Sequence, residues 1–176
     1  AFDYYARQKG KNENIFFSPF SISSALTMTY EGARGQTAEE MRKTLHLPDD
    51  KGKLRYEYSS ILEDIGQTDK VYQLSTANAL WLQKNYTFEQ DYLRTIIQYY
   101  KGKITNLDFV TETEKSRVTI NGWVEEKTND KIKDLIPKGV IDSDTRLVLT
   151  NAVYFKGNWT AQFDAVDTRD GMFKTT

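Results

Sequence analysis

Residues 147–159, LVLTNAVYFKGNW, constrain the rest of the chain most. The β-branched and aromatic residues Val148, Val153, Tyr154 and Phe155 favour an extended backbone, and apolar side chains on both alternating faces predict a strand covered above and below. Asn151 interrupts that apolar run at its middle. A buried amide without partners costs about 1–3 kcal/mol, so Asn151 calls for other polar groups placed to meet it. At this point a satisfied core asparagine and a functional polar hub are both open.

Composition removes several classes of function. With 24 basic against 25 acidic residues and a net charge of -1, the chain carries no electrostatic footprint for nucleic acid or an anionic membrane. At 176 residues it has the size of one domain with a real core. It contains no apolar run long enough to span a bilayer, and AFDYYARQKG does not read as a signal peptide. The absence of cysteine excludes disulfides and thiolate metal sites but leaves the compartment open. No cofactor is indicated.

Read in order, the chain alternates helices and strands without a linker. Residues 1–8 carry Phe2, Tyr5 and Ala6 at helical spacing, and residues 14–17 read as a short strand. Ser18-Pro19 has the form of a helix start, a capping hydroxyl followed by proline at the first helical position, and the helix is predicted to run to about Glu31. Its small residues Ser21, Ser23, Ser24, Ala25 and Thr27 allow a close neighbour, and their hydroxyls can reach buried polar partners. Gly32 to Gly35 reads as a turn between helices. Thr37-x-x-Glu40 has the capping-box pattern for a short helix with Met41 and Leu45 inward.

Leu54, Tyr58, Ile61, Leu62 and Ile65 mark the next amphipathic helix. Lys51, Lys53 and Arg55 on it are offset by Glu57, Glu63 and Asp64, so it presents no unbroken basic face for heparin or a similar polyanion. Residues 71–82 read as a long strand with Asn78 among apolar neighbours. Thr87-x-x-Gln90 repeats the capping-box pattern before a helix whose buried stripe is Leu93, Ile96, Ile97 and Tyr100, stopped by Gly102. Residues 103–109 alternate as a strand, residues 114–127 form a helix facing inward with Ile120, Trp123 and Val124, and residues 131–146 are an extended connection.

Five ordered segments now carry a resemblance: NIFFSPFSISSAL, GARGQTAEEM, STANALWLQKNYTF, INGWVEEKTNDKIKDLIP and LTNAVYFKGNW. Together they resemble the N-terminal half of a serpin, in the family's order. The resemblance implies an α+β serpin fold, with residues 1–176 as the N-terminal portion of a single domain. The helix opened by Ser18 would underlie a large mixed main sheet. Residues 71–82 and 147–155 would be strands of that sheet, incomplete here, and the helix around Trp123 would cross its front.

By the same resemblance the function is serine protease inhibition by a suicide-substrate mechanism. The target is a serine protease or a papain-like cysteine protease, whose attack on an exposed reactive loop leads to loop insertion into the main sheet. Ser18, Ser21 and Asn151 match the family's shutter, the polar cluster beneath the opening, and Lys156, Gly157 and Trp159 match its breach signature. The reactive loop and its hinge are not among these residues, so a non-inhibitory member acting as a carrier, binding protein or chaperone shares every motif quoted. A C-terminal half of the same protein is the implied partner, since residues 147–155 alone would offer an unpaired edge. The resemblance favours an extracellular setting.

An enzyme reading fares worse. His46 is the single histidine and falls at a helix end, where a surface or dipole role suffices. Nucleophile-elbow, P-loop, dinucleotide and zincin motifs are missing. Glu39-Glu40 and Glu125-Glu126 suit solvated helices, and Asp142 with Asp144 lacks the other ligands of a calcium loop. Of the sequons at Asn85 and Asn158, the second sets sugar beside Trp159, expected to be buried, and neither is expected to be used.

Overall fold

The structure is a computed structural model that describes residues 2–10, 13–66 and 72–172. Helices α1 (Phe2–Gln8), α2 (Pro19–Gly32), α3 (Gly35–Leu45) and α4 (Lys51–Ile65) precede β1 (Tyr72–Gln83). After β1 come α5 (Gln90–Tyr100), β2 (Lys103–Leu107), α6 (Thr113–Lys127) and β3 (Leu147–Gly157), followed by a 3-10 turn at Ala165–Asp167. The strands form one mixed sheet in the order β2-β1-β3. β1 and β2 are parallel and joined through α5, whereas β1 and β3 pair antiparallel from Tyr72 opposite Gly157 to Leu82 opposite Leu147.

Successive side chains of β1 point to opposite faces, and each face has its own core. Leu80 and Leu82 pack with Met28 and Tyr30 of α2, Leu54 and Tyr58 of α4, and Ile96 and Tyr100 of α5. Ala79 and Trp81 pack on the other side with Ile120, Trp123 and Val124 of α6, together with Phe109, Ile136 and Ile141. The sheet is therefore a middle layer, with α2, α4 and α5 on one side and α6 with its following connection on the other.

Residues 131–146 do not run free across that second face. Asn121 of α6 donates from Nδ2 to the Ile136 carbonyl (3.0 Å) and accepts the Ile136 N–H at Oδ1 (2.9 Å). Arg117 donates to the same carbonyl (2.7 Å) while its guanidinium pairs with Glu114. Three bonds converge on the backbone of one residue, Ile136, and bind the connection to α6 before it enters β3.

Several local expectations give way. The short strand expected at residues 14–17 is not formed, and those residues have no ladder partner among the described residues. Neither capping-box pattern is used: α3 starts at Gly35 after Arg34, α5 starts at Gln90 after Glu89, and neither has a side-chain cap. The entry to α5 is set instead by Phe88, which packs on the core and meets the Tyr86 ring at 5.0 Å. Ile61 and Ile97 are exposed, so those two stripes are narrower than their apolar residues imply.

β2 ends at Leu107 rather than Phe109, because the Phe109 N–H turns to the side-chain oxygen of Gln83 (2.7 Å). Gly102 does close α5, with its N–H on the Ile96 carbonyl at 3.1 Å. A Cβ there would sit 2.5 Å from Cγ2 of Ile96, so this close approach requires glycine. β3 is covered only at its middle: Thr150 and Ala152 are buried, while Leu147 and Phe155 are exposed. Its edge away from β1 has no strand partner among the described residues.

Candidate functional site

The polar groups that Asn151 requires come from three other elements. Ser18 caps α2 by accepting the Ser21 N–H at 3.2 Å, which seats the first turn of that helix against the sheet. From this turn the Ser21 hydroxyl donates to Oδ1 of Asn151. Asn151 stands directly across the ladder from Asn78 and donates to its Oδ1 at 2.7 Å. Asn78 in turn donates to the carbonyl of Tyr100, the last residue of α5, at 2.8 Å.

The chain of bonds does not stop there. The Tyr100 hydroxyl donates to Oε1 of Glu31 at 2.9 Å, and Glu31 lies in the last turn of α2. Beginning at Ser21, the hydrogen bonds pass through β3, β1 and α5 and return to the helix they left. Glu31 is 3% exposed, and its charge is held by a bidentate pair with Arg55 of α4, at 3.1 and 2.8 Å. Beside this circuit the Tyr58 hydroxyl meets Ser23 at 2.9 Å and accepts from Thr27 at 3.5 Å. The expectation that the small residues of α2 serve buried polar partners therefore holds for Ser21, Ser23 and Thr27.

Burial beside the Glu31 carboxylate resists ionisation of the nearby phenols. Tyr92 is pushed up to about 12, first by burial and then by the Glu31 charge, and Tyr100 is raised by the same two causes in the same order. In an unfolded chain a tyrosine titrates near 10. The stability tied to these neutral phenols is therefore fully present below pH 10 and is lost as pH rises from 10 toward 12. In an ultraviolet titration of the folded protein, Tyr92 and Tyr100 should stay un-ionised as the pH passes 10. Complete titration near pH 10 with the fold intact would contradict this environment.

The other predicted group lies elsewhere. Lys156 and Gly157 occupy the exposed end of β3 opposite Gln73 and Tyr72, and Trp159 beyond them is 73% exposed. Trp159 makes an edge contact with Phe163, ring centroids 6.0 Å apart, instead of entering a core. The expectation of a buried tryptophan fails there, and with it the steric objection to sugar at Asn158. Among the described residues Ser18, Ser21 and Asn151 are joined and Lys156, Gly157 and Trp159 form a separate exposed tip. Sequence reasoning singled out Asn78 without a role and missed Tyr100 and Glu31. The available signal was an asparagine in each of two strands, which an antiparallel register can bring face to face.

A mixed sheet sandwiched between helices, with a polar circuit under its antiparallel pair, defines an α+β protein. The chain belongs to the serpin family: the family model described as serpin (serine protease inhibitor) matches residues 1–176. It is 44% identical over 180 residues to an uncharacterized serpin-like protein of Methanosarcina acetivorans, covering 100% of this chain and 42% of that protein. Human Serpin B3 is 39% identical over 188 residues, covering 98% of this chain and 48% of that protein. The solved structure of emu ovalbumin superposes with a TM-score of 0.93 at 34% identity, over 98% of this chain and 48% of that one. The chain thus spans between 42% and 48% of the length of these relatives.

Proposed function

We propose that the protein to which these residues belong inhibits a serine protease, or a papain-like cysteine protease, by acting as a suicide substrate. The hydroxyl or thiol of the protease adds to the scissile carbonyl of a reactive loop supplied by the rest of the chain, and the amine side of the cut peptide leaves. The loop then joins the main sheet as an additional strand while the ester or thioester still links it to the enzyme, and the displaced enzyme cannot complete hydrolysis. All bond-breaking chemistry belongs to the protease, so this protein is not itself an enzyme.

The observation that carries the reading is the polar circuit beneath β3, in which Asn151 at the middle of the strand accepts from Ser21 of α2 and donates to Asn78 of β1. Hydrogen bonds of this kind exchange between two strand positions, whereas interdigitated aliphatic packing would have to be torn apart. In this reading Ser18, Ser21 and Asn151 are the shutter, with Ser18 acting through the helix turn that presents Ser21. Lys156, Gly157 and Trp159 mark the breach where insertion begins. The rest of the serpin domain completes the sheet.

The test is to incubate the whole protein with a panel of serine and papain-like cysteine proteases and to resolve the products on denaturing gels. A complex that survives denaturation, and is lost when the scissile residue is replaced, is the expected result. Cleavage without a complex and without a rise in thermal stability would overturn the proposal and leave a non-inhibitory carrier or chaperone.

A further inference from the structure

We propose that Glu31 and Tyr100 form a second latch on the moving part of the sheet, coupled to the contact between Ser21 and Asn151. The inference rests on the reading of β3 as a strand that shifts during loop insertion. It adds two positioning residues that act through Asn78 and touch neither loop nor protease.

The argument is one of connectivity. α2 is held by hydrogen bonds at two points, the Ser21 hydroxyl in its first turn on Asn151 of β3 and the Glu31 carboxylate in its last on Tyr100 of α5. Ten residues of helix separate them, a rise of about 15 Å. Between these points Asn151, Asn78 and the Tyr100 carbonyl form an unbroken series of hydrogen bonds across β3, β1 and the end of α5. β3 is therefore tied to α2 twice, directly at Ser21 and through Asn78 and Tyr100 at Glu31. It shifts relative to α2 only when the Ser21 hydroxyl has let go of Asn151 and the series ending at Glu31 has opened as well.

The Glu31 end is the more firmly built. Tyr100 is fully buried, its ring lies against Tyr58 at 5.3 Å between centroids, and the carboxylate it meets is fixed by two bonds from Arg55. A bond from a buried hydroxyl to a charged acceptor is stronger than one between neutral groups. The rigid anchor therefore lies at Glu31, and the exchangeable bond lies at Ser21, nearer the open edge. Arg55 brings α4 into the same latch, so the position of α4 bears on how readily β3 moves.

The experiment uses the whole protein with Tyr100→Phe, Ser21→Ala and the double variant, following hydrogen exchange of the β3 amides in the native state. Tyr100→Phe removes one oxygen and leaves both Arg55 bonds to Glu31 and the Tyr100 carbonyl in place. Ser21→Ala should speed β3 exchange by about five-fold, the loss of one ordinary hydrogen bond, and Tyr100→Phe by more than about ten-fold, the loss of one to a charged acceptor. In the double variant the effects should at least multiply, because each bond is a separate tether and the strand is free only when both are gone.

Unchanged β3 exchange in Tyr100→Phe, or a double variant no faster than Ser21→Ala alone, would overturn the latch. Should Tyr100→Phe fail to fold, Glu31→Gln retains an oxygen acceptor for the phenol and should accelerate exchange in the same direction by a smaller factor. The thermal stability of loop-cleaved wild type is measured alongside. If it does not rise on cleavage, the inhibitory reading fails, while the exchange cycle still decides whether Glu31 and Tyr100 restrain β3.

Discussion

Alanine at Trp81 lowers the free energy of unfolding by about 3–5 kcal/mol, the range for emptying a large aromatic from a core. Trp81 is 1% exposed, meets Trp123 edge to face with ring centroids 5.6 Å apart, and donates from Nε1 to the Thr150 hydroxyl at 3.0 Å. One side chain thus fills the space beneath α6, contacts that helix and ties β1 to β3 on the face opposite the polar circuit. Neighbours held in two strands and a helix cannot collapse into the void, which places the loss near the upper part of the range. Set against a total of roughly 5–15 kcal/mol for a domain, this removes a large share of the stability. The check is the first unfolding transition of the whole protein in urea, with Trp81→Phe as a milder companion. A loss below about 1 kcal/mol would mean that the layer between β1 and α6 is not packed as described.

Alanine at Glu31 destabilises by about 3 kcal/mol, the lower end of the range for breaking a buried pair. The lower end applies because the Arg55 side chain is 31% exposed and can turn to water once its carboxylate is gone. The Tyr100 hydroxyl has no such escape, since Tyr100 is fully buried and Glu31 is its acceptor. An orphaned buried hydroxyl accounts for about 1–3 kcal/mol of the loss by itself. Glu31→Gln should cost less, because an amide oxygen still accepts from the phenol. Chemical denaturation of the three proteins decides the matter. Equal losses for alanine and glutamine would assign the effect to charge alone and remove Tyr100 from the account.

The element types were legible for physical reasons that hold locally. Period-two alternation in residues 103–107 and the apolar run of residues 147–155 both produce strands, and Leu54, Tyr58 and Leu62 produce the buried stripe of α4. Ser18 with Pro19 was read correctly as a helix start, because the cap needs nothing beyond the next three residues. Thr37 and Thr87 carry an equally good local pattern, yet α3 and α5 start elsewhere. A capping bond worth about 1 kcal/mol yields to the placement of Phe88 in the core and to the turn at Arg34 and Gly35. Ile97 and Ile61 were misjudged because apolar identity at helical spacing does not say how wide a neighbouring surface is.

What the sequence by itself determined is most of the list of elements, the short strand at residues 14–17 excepted, the need of Asn151 for polar company, and, through five ordered segments, the serpin family. These follow from side-chain chemistry and neighbours a few residues away. Only the tertiary structure decided which groups keep Asn151 company. The antiparallel register of β1 and β3 sets Asn78 opposite Asn151, and the end of α5 brings the Tyr100 carbonyl to Asn78. The packing of α2 on α4 and α5 places Glu31 between Arg55 and Tyr100. The Asn78–Asn151 pair alone spans 73 positions of chain, and no local preference can specify a bond over that distance. Such pairings are selected by the whole set of buried polar groups, each of which must find a partner in one arrangement.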